Sequence, residues 1–364
     1  MKRTLGRALA ATTAALGLVA LAAGLVSLPA AASSSAQHDA SSTYTIYLDN
    51  NFLGNDWRVL MENLTKVLVA KPPLAGRVNL KVENTPANTA SAQIQQLQEI
   101  IAQRPNAIVI DAASPTALNP VIQSACSRGI TVISFDQIVT APCAVKAHVD
   151  SYQEGIADAQ WMARTLHGKG QIFADIGIAG GPIAQEFSKA YSTVFKKYPG
   201  IKISCSFASG AALGTEESTV SNCLSAHPDV DGVISLGYGT GAMKVLKQAG
   251  HKVVPIAAAS YNATMLACIK KSQPCFVGSD PPWLGGYAVK LAVDVLDHKI
   301  ANKGQTIVIP APFYENNGIK VPGVTPEPFA IGKNAYPSLP GSTFLPISPS
   351  WAVVTPKEAL SGKA

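Results

Sequence analysis

Three polar residues that directly follow buried apolar runs are the strongest candidates for chemistry in this sequence. Residues 107–110 and 130–135 are apolar, and these runs stop at Asp111 and at the pair Asp136 and Gln137. A carboxylate in such a place can accept charge-assisted hydrogen bonds from adjacent hydroxyl groups. The alternative for each aspartate is a helix cap or a turn. Asp136 is the stronger binding candidate, because no clear helix follows it.

The segments around these residues predict how they are positioned. Residues 115–128 carry apolar side chains at helical spacing, and Gly129 closes the segment. The two flanking runs are mostly apolar, which is typical of parallel strands buried on both faces. In open α/β sheets, ligands bind beyond the carboxyl ends of the strands. The sequence therefore predicts a strand–helix–strand unit that presents its polar ends to a small molecule.

A second polar cluster follows the first predicted strand, residues 45–48. Its candidate ligand contacts are Asn51, Phe52, Asn55, Asp56 and Trp57. Amides and carboxylates pair with hydroxyl groups, and an aromatic face can cover the apolar face of a sugar. Alternatively, Asn55 or Asp56 caps the following helix while the two aromatic side chains pack in the core. Capping by one residue and binding by its neighbours can coexist.

The second half of the chain has glycine-containing loops after predicted strands, at residues 177–182 and 237–241. They are similar to phosphate-binding loops but lack the full dinucleotide or Walker pattern, so tight strand-to-helix turns are the plain alternative. Tyr238 and Ser260 are cleft candidates by position. Ser279 and Asp280 follow a further strand, where the chain is expected to cross between two lobes and a side chain can reach both.

The whole chain alternates predicted strands and helices, and the pattern restarts near residue 151. This alternation predicts an α/β protein with two doubly wound parallel sheets, joined by three strands that hinge. On the first helix, residues 57–70, Val59 is expected on the apolar side with Leu60 and Leu64.

The chain is expected to divide into a leader at 1–32, a linker at 33–43, a first lobe at 44–150 plus 280–305, a second lobe at 151–279 plus 306–330, and a proline-rich tail at 331–364. The tail should run extended over the surface.

Residues 1–32 have the three parts of a secretory signal. A charged start, an apolar stretch rich in Ala, Leu and Val, and the small residues 30–32 follow one another. The alternative is an uncleaved membrane anchor, since the apolar stretch is close to spanning length. Either outcome places the protein in the periplasm, the cell envelope or the extracellular space.

Charge and cysteine content narrow the class of protein. The formal net charge of +6 includes three cations and no acidic residue of the leader, and no Lys/Arg stripe stands out, so nucleic acid is not an expected partner. Six cysteines in an exported chain suggest disulfides, although spacing alone allows fifteen pairings. We favour the sequence neighbours, namely Cys126–Cys143, Cys205–Cys223 and Cys268–Cys275. No CxxC or clustered Cys/His spacing indicates a metal.

Signatures of enzymes are weak. The sequence has no GxSxG elbow, HExxH, kinase or P-loop motif, and its histidines are scattered. We therefore expect a protein without catalytic residues, cofactor or metal, and a monomer. A secreted hydrolase that uses Asp136 or Asp280 stays open as an alternative.

Several ordered segments together resemble one known family. They are TIYLDNNFLGNDW, the run from AQIQQLQEII to GITVISFDQ, HVDSYQEG, KYPGI, SAHPDVDGVIS and AMKVLKQAG. In this order they resemble the type I periplasmic sugar-binding proteins, the ribose-binding-protein-like receptors of ABC importers. The resemblance implies two Rossmann-like lobes, three hinge strands, closure over a small ligand and delivery to a membrane permease. A sensory module that reports its ligand to a membrane receptor would share the same cleft.

The resemblance also implies positions for the ligand. Asn51, Asn55, Trp57, Asp111 and Asp136 match first-lobe contacts of the family. The chain departs from the family at four positions: Gln137 and Phe187 stand where arginines are expected, Ser260 where an aspartate is expected, and Ser279 where an amide is expected. These departures argue against free ribose and favour another sugar, a polyol or a different hydroxylated molecule.

Overall fold

The computed structural model describes residues 43–364, so the predicted leader and nearly all of the predicted linker lie outside the described residues. The strands are β1 (Tyr44–Asn50), β2 (Val78–Asn84), β3 (Ala107–Asp111), β4 (Thr131–Phe135), β5 (Val145–His148), β6 (Lys169–Asp175), β7 (Gly200–Phe207), β8 (Gly232–Ile234), β9 (Ile256–Ala259), β10 (Cys275–Gly278), β11 (Thr306–Val308) and β12 (Tyr314–Glu315). The helices are α1 (Asp56–Val69), α2 (Ala90–Ala102), α3 (Asn119–Ser127), α4 (Ser151–Thr165), α5 (Pro182–Phe195), α6 (Leu213–Ala226), α7 (Thr240–Gln248), α8 (Asn262–Cys268), α9 (Leu284–Leu296) and α10 (Pro356–Ser361).

These elements form two six-stranded sheets, one in each lobe. The first sheet has the order β11-β5-β4-β3-β1-β2, and the second has the order β12-β10-β9-β8-β6-β7. All pairs are parallel except β10 with β12. In each lobe the strand order reverses beside the lobe's first strand, β1 or β6, which makes the carboxyl ends there the expected place for a ligand. The predicted pair of parallel α/β lobes is confirmed.

The chain passes between the lobes after β5, after β10 and after β11, and its C-terminal end returns to the first lobe, where α10 packs on α1. One predicted boundary was wrong at this point. Residues 306–308 were expected in the second lobe, but β11 pairs with β5 at the edge of the first sheet, from Thr306 opposite Lys146 to Val308 opposite His148. The strand is short and its exposed side chains give no apolar pattern that could assign it to either sheet.

Helix α1 is rotated relative to the expectation from its apolar residues. Asn55 caps the helix by accepting a hydrogen bond from the Arg58 backbone N–H at 2.9 Å, which fixes the phase of the first turn. Leu60 and Leu64 are buried as expected. Val59 was placed on the wrong side, because it is 45% exposed whereas Arg58 is 1% exposed. A cation is thus carried into the interior of the first lobe.

Helix α4 begins at Ser151, whereas the sequence pattern predicts a helix only over residues 155–166. The Asp150 side chain accepts a hydrogen bond from the Gln153 backbone N–H at 3.0 Å and caps this earlier turn. Glu154 therefore lies inside the helix, one turn before Asp158 on the same face. Most of α4 is buried, so both carboxyl groups are held at the inside of the second lobe.

The C-terminal segment 331–364, which we call the strap, packs into the protein rather than running over its surface. Phe344 and Leu345 are each 3% exposed. The Asn262 side chain donates to the backbone oxygens of Tyr336 (2.9 Å) and Leu339 (3.0 Å), which holds the strap on the second lobe. At its end, α10 packs on α1 of the first lobe. The strap therefore bridges both lobes, and the expectation of a surface tail was wrong.

The three expected disulfide pairings are confirmed. Cys126 is bonded to Cys143, Cys205 to Cys223 and Cys268 to Cys275. Each joins a helix to a nearby strand or loop of its own lobe, so the bonds stiffen the lobes without crossing between them. Among residues 43–364, no helix is both long and apolar enough to span a membrane.

Removing the first disulfide is expected to destabilise the first lobe. Replacing Cys126 and Cys143 by alanine frees a loop closed over 17 residues, and the free energy of unfolding should fall by about 3 kcal/mol. Urea unfolding of the double variant beside the unaltered protein measures this change. Reduction with dithiothreitol should then cost the variant less than the unaltered protein. Identical unfolding midpoints for the two proteins would contradict the prediction.

Candidate functional site

A cavity of about 100 Å³ lies between the lobes, where the carboxyl ends of the two sheets face each other. The first lobe and the crossing after β10 line it with Asn55, Trp57, Arg58, Asp136, Gln137 and Asp280. The second lobe and the strap line it with Ser151, Glu154, Asp158, Gly177, Ile178, Ile183, Phe187, Ala211, Ser235, Leu236, Ala258, Ala259, Tyr261 and Phe344. Polar groups and aromatic faces therefore share one small space between the lobes.

Direct contacts between the lobes close the rim of this cavity. Asn55 Nδ2 donates to the Gly210 backbone oxygen at 3.0 Å, and the Tyr238 hydroxyl donates to the Asp56 carboxylate. The Tyr238 ring in turn stacks on Tyr261, with 3.8 Å between ring centroids. These contacts join the β1–α1 region to loops of the second lobe, so the described arrangement is a closed one.

Arg58 organises the first-lobe side of the cavity. Its guanidinium donates to the Asp111 carboxylate and to Asn50 Oδ1 (2.7 Å), and it lies 3.5 Å from Asp136 Oδ2. Burial raises the pKa of Asp111 well above its usual range, and the Arg58 charge opposes that rise. Because one cation serves two carboxylates, Asp111 is anchored below the cavity and Asp136 is left to face it.

Asp136 has a backbone conformation that directs its side chain. Its φ of 54° lies in the left-handed region, which aspartate and asparagine tolerate better than most residues. The turn occurs directly after β4, and Gln137 follows it into the cavity lining. Backbone strain of this kind often accompanies functional sites. The two residues that the sequence singled out at this strand end therefore both line the cavity.

Further carboxyl groups crowd the cavity near Asp136. Burial, and then the charge of Asp136, raises the pKa of Glu154 to about 7. Burial and the neighbouring Glu154 raise the pKa of Asp158 well above its ordinary value. Burial, followed by the charge of Asp136, does the same for Asp280. Each of these groups binds its proton more tightly in the folded protein than in the unfolded chain.

This crowding predicts a pH dependence of stability without ligand. Between its ordinary pKa of 4.5 and about 7, Glu154 keeps its proton when folded and loses it when unfolded. The folded state then binds more protons, so the free energy of unfolding should fall as the pH rises through this window. Glu154→Gln should remove part of that fall, on the order of 2 kcal/mol.

Urea unfolding from pH 4 to 8 measures the effect for the unaltered protein and for Glu154→Gln. Asp136, Asp158, Asp280 and Arg58 face the same space and are present in both proteins, so the two proteins differ only at Glu154. Glu99→Gln is the matched control, because Glu99 is exposed on α2. An unchanged pH slope in Glu154→Gln would contradict the assignment.

The structure brings some predicted site residues together and places others elsewhere. Asn55, Trp57, Asp136, Gln137, Phe187 and Asp280 line the cavity. Seven others lie outside its lining, namely Asn51, Phe52, Asp56, Asp111, Tyr238, Ser260 and Ser279. Asn51 donates to Asn88, and Phe52 lies against the Arg58 guanidinium at 5.4 Å. Both Ser260 and Ser279 donate to the strap at the Leu345 backbone oxygen, at 2.6 and 2.7 Å.

The glycine loop at residues 237–241 is a tight turn built around an internal carboxylate. Glu216 accepts hydrogen bonds from the backbone N–H groups of Gly239 and Ala242, each at 3.0 Å, and from the Ser235 hydroxyl at 2.8 Å. The φ of Gly239 is 65°, which favours glycine. Since the Glu216 carboxylate already accepts hydrogen bonds from these backbone N–H groups, the loop does not offer them to a phosphate.

Several lining residues were missed because their contacts arise only from folding. Arg58 was not assigned to the site, and Glu154 lies before residue 155, where the helix was expected to start. Asp158 had a usable signal, since it is an acidic residue in a helix segment otherwise rich in Ala, Trp and Met. Phe344 had none, because it is far from every predicted strand end. Within residues 43–364, no group of three or more His, Cys, Asp or Glu side chains could hold a metal ion.

Comparison with known proteins identifies the fold and its family. Residues 46–300 match the model of the periplasmic binding protein domain. The chain is similar to a solute-binding protein of an ABC transporter from Thermobispora bispora, with a TM-score of 0.69, 26% identity and coverage of 75% of this chain and 85% of that one. It has the same fold as a Bacillus halodurans solute-binding protein with bound myo-inositol, at a TM-score of 0.66 and 17% identity over 76% and 96% of the chains.

Two proteins that are similar in sequence are named for the ligands that they bind. The xylitol-binding protein of Mycolicibacterium smegmatis is 27% identical over 72% of this chain and 80% of its own length. The ribose import binding protein of Bacillus subtilis is 24% identical over 59% and 71%, respectively. The match to the family model ends before the strap, so the Phe344 wall of the cavity lies beyond the matched region.

Proposed function

Because the chain belongs to the periplasmic binding protein domain family, we propose that it captures a small polyhydroxylated molecule, a sugar or polyol, in the cavity between its lobes. The single observation that supports this most is the composition of the cavity. Carboxylates, amides and one guanidinium face the same enclosed space as Trp57, Phe187 and Phe344. Hydroxyl groups pair with the polar side chains, and apolar C–H faces pack on aromatic rings.

The relatives support both the class of ligand and a role in transport. A xylitol-binding and a ribose import binding protein are among them, and the solute-binding protein of T. bispora belongs to an ABC transporter. We infer that this protein is exported, binds its ligand outside the cytoplasm and delivers it to a membrane permease. We propose no catalytic activity for it, since its relatives from M. smegmatis and B. subtilis are binding proteins.

Native mass spectrometry of the purified protein tests capture directly, because a ligand enclosed between closed lobes can survive purification. The same sample is then unfolded and refolded to remove any such molecule. Its melting temperature is measured with xylitol, D-ribose, D-xylose, L-arabinose, D-glucitol and myo-inositol. A ligand that binds only the folded state raises the apparent stability by RT ln(1 + L/Kd), where L is the free ligand concentration, so above Kd the stability rises with the logarithm of the ligand concentration. At least one sugar or polyol should give a rise that depends on its concentration, and no rise across the panel would contradict the proposal.

A further inference from the structure

The cavity has more acidic groups than a neutral ligand requires. Asp136, Glu154, Asp158 and Asp280 all line it, and Arg58 is the only cationic side chain among its described lining residues. The Arg58 guanidinium is already shared between Asp111 and Asp136. Among the described residues, no cationic side chain therefore forms an ion pair with Glu154, Asp158 or Asp280.

Buried atoms without partners point independently to a ligand. Asp158 is 3% exposed and lines the cavity, yet its Oδ1 has no hydrogen-bond partner. Asp280 Oδ1 and Gln137 Nε2, which belong to cavity-lining residues too, have none either. A buried polar atom left without a partner costs free energy, so such atoms commonly mark a missing partner. Two of these atoms are carboxyl oxygens that can accept a hydrogen bond, and the third is an amide nitrogen that can donate one.

The donors and carboxyl groups of the cavity together match a ligand that has both hydroxyl groups and a cationic group. Arg58, Gln137 and Asn55 present N–H donors from the first lobe, which suits hydroxyl oxygens. Glu154, Asp158 and Asp280 present carboxyl oxygens from α4 and the crossing after β10. An ammonium group has three donors and no acceptor, whereas a hydroxyl would also turn lone pairs toward the carboxylates. The aromatic ring of Trp57 or Phe344 can further favour a cation.

We propose that the ligand is a small polyhydroxylated amine, an amino sugar or amino polyol, whose protonated nitrogen lies against Glu154, Asp158 and Asp280. The inference rests on the proposed function and names the ligand class for the same cavity. Burial of an ammonium group here would also favour the ionised form of Glu154, whose pKa is otherwise raised by burial.

Matched pairs of ligands test this class, because each pair differs only by an amine in place of a hydroxyl. The pairs are D-glucosamine with D-glucose, 1-amino-1-deoxy-D-glucitol with D-glucitol, and 2-amino-1,3-propanediol with glycerol. Isothermal titration calorimetry at pH 7 should show at least one amine binding more than tenfold tighter than its hydroxyl partner. The double variant Glu154→Gln/Asp158→Asn should lose this preference while still binding the neutral partner.

The variants keep the test interpretable. Replacing two crowded carboxyl groups with amides of the same shape removes mutual repulsion, so the double variant should melt no lower than the unaltered protein. Glu99→Gln, which removes the charge of an exposed residue on α2, should keep the amine preference.

Neutral partners that bind as tightly as the amines would overturn this inference and leave the proposed function standing. No binding by amine or neutral compound alike, with no stabilisation by the sugars and polyols tested above, would overturn both. An amine preference that persists in the double variant would overturn the assignment to α4.

Discussion

Replacing Arg58 with methionine is expected to lower the free energy of unfolding by about 3–5 kcal/mol. Arg58 is 1% exposed and contacts both Asp111 and Asp136, so its loss leaves two buried carboxyl groups without a counter-charge. Methionine fills much of the same space, which confines the effect to charge and hydrogen bonding. The variant should also bind ligand poorly, because Asp136 is no longer held in place.

Urea unfolding at pH 7 measures the loss, and two variants define its origin. Lys66→Met removes a cation from the same helix, but the Lys66 side chain is 44% exposed in its pair with Glu62, so it should cost about 0.5 kcal/mol or less. Arg58→Met/Asp111→Asn should recover part of the stability by removing one of the stranded charges. If Arg58→Met unfolds at the same urea concentration as Lys66→Met, the contacts of Arg58 with Asp111 and Asp136 do not stabilise the fold.

Removing the side chain of Phe344 is expected to have the second large effect. Its ring packs edge-on against Tyr261, with 4.8 Å between centroids, and it forms part of the cavity wall. Phe344→Ala should lower the free energy of unfolding by about 3 kcal/mol, within the range for truncating a buried aromatic. It should also weaken ligand binding at least about tenfold, because water can then enter an otherwise enclosed space.

Thermal unfolding and titration calorimetry of Phe344→Ala measure the two effects separately. Glu358→Gln is the matched control within the strap, since it alters the contact with Lys71 at the far end of that segment. This control should leave ligand affinity unchanged. Equal affinity in Phe344→Ala and the unaltered protein would show that the strap is not part of the binding site.

The sequence predicted the lobes well because their signals are local and repeated. Continuous apolar runs such as residues 107–110 mark strands buried on both faces, and strict alternation with helices permits few topologies. Elements with weak local signals were missed or misplaced. The strand at residues 306–308 is too short for its sequence to show which sheet it joins, and the strap contains too many prolines to suggest a packed segment.

The site was predicted only as far as strand ends could show it. Asp136, Gln137 and Asp280 directly follow strands, and the position of strand ends in parallel sheets is enough to bring them together. Asp111 follows a strand as well, but it binds Arg58 below the cavity. Glu154 and Asp158 reach the cavity from a helix, so their role depends on the exact phase of α4 and on closure of the lobes. No sequence pattern fixes either of these.

The most direct test of the central claim is the affinity of Asp136→Asn for the sugar or polyol that stabilises the unaltered protein. Asparagine tolerates the left-handed backbone at this position, so the substitution removes a charge while keeping the fold. Titration calorimetry should give one site per chain in the unaltered protein. Binding by Asp136→Asn should be about 10- to 100-fold weaker, as expected for loss of a hydrogen bond to a charged group. Asp229→Asn, altered at an exposed position, should bind normally. Equal affinity in the Asp136→Asn variant and the unaltered protein would contradict capture of the ligand in this cavity.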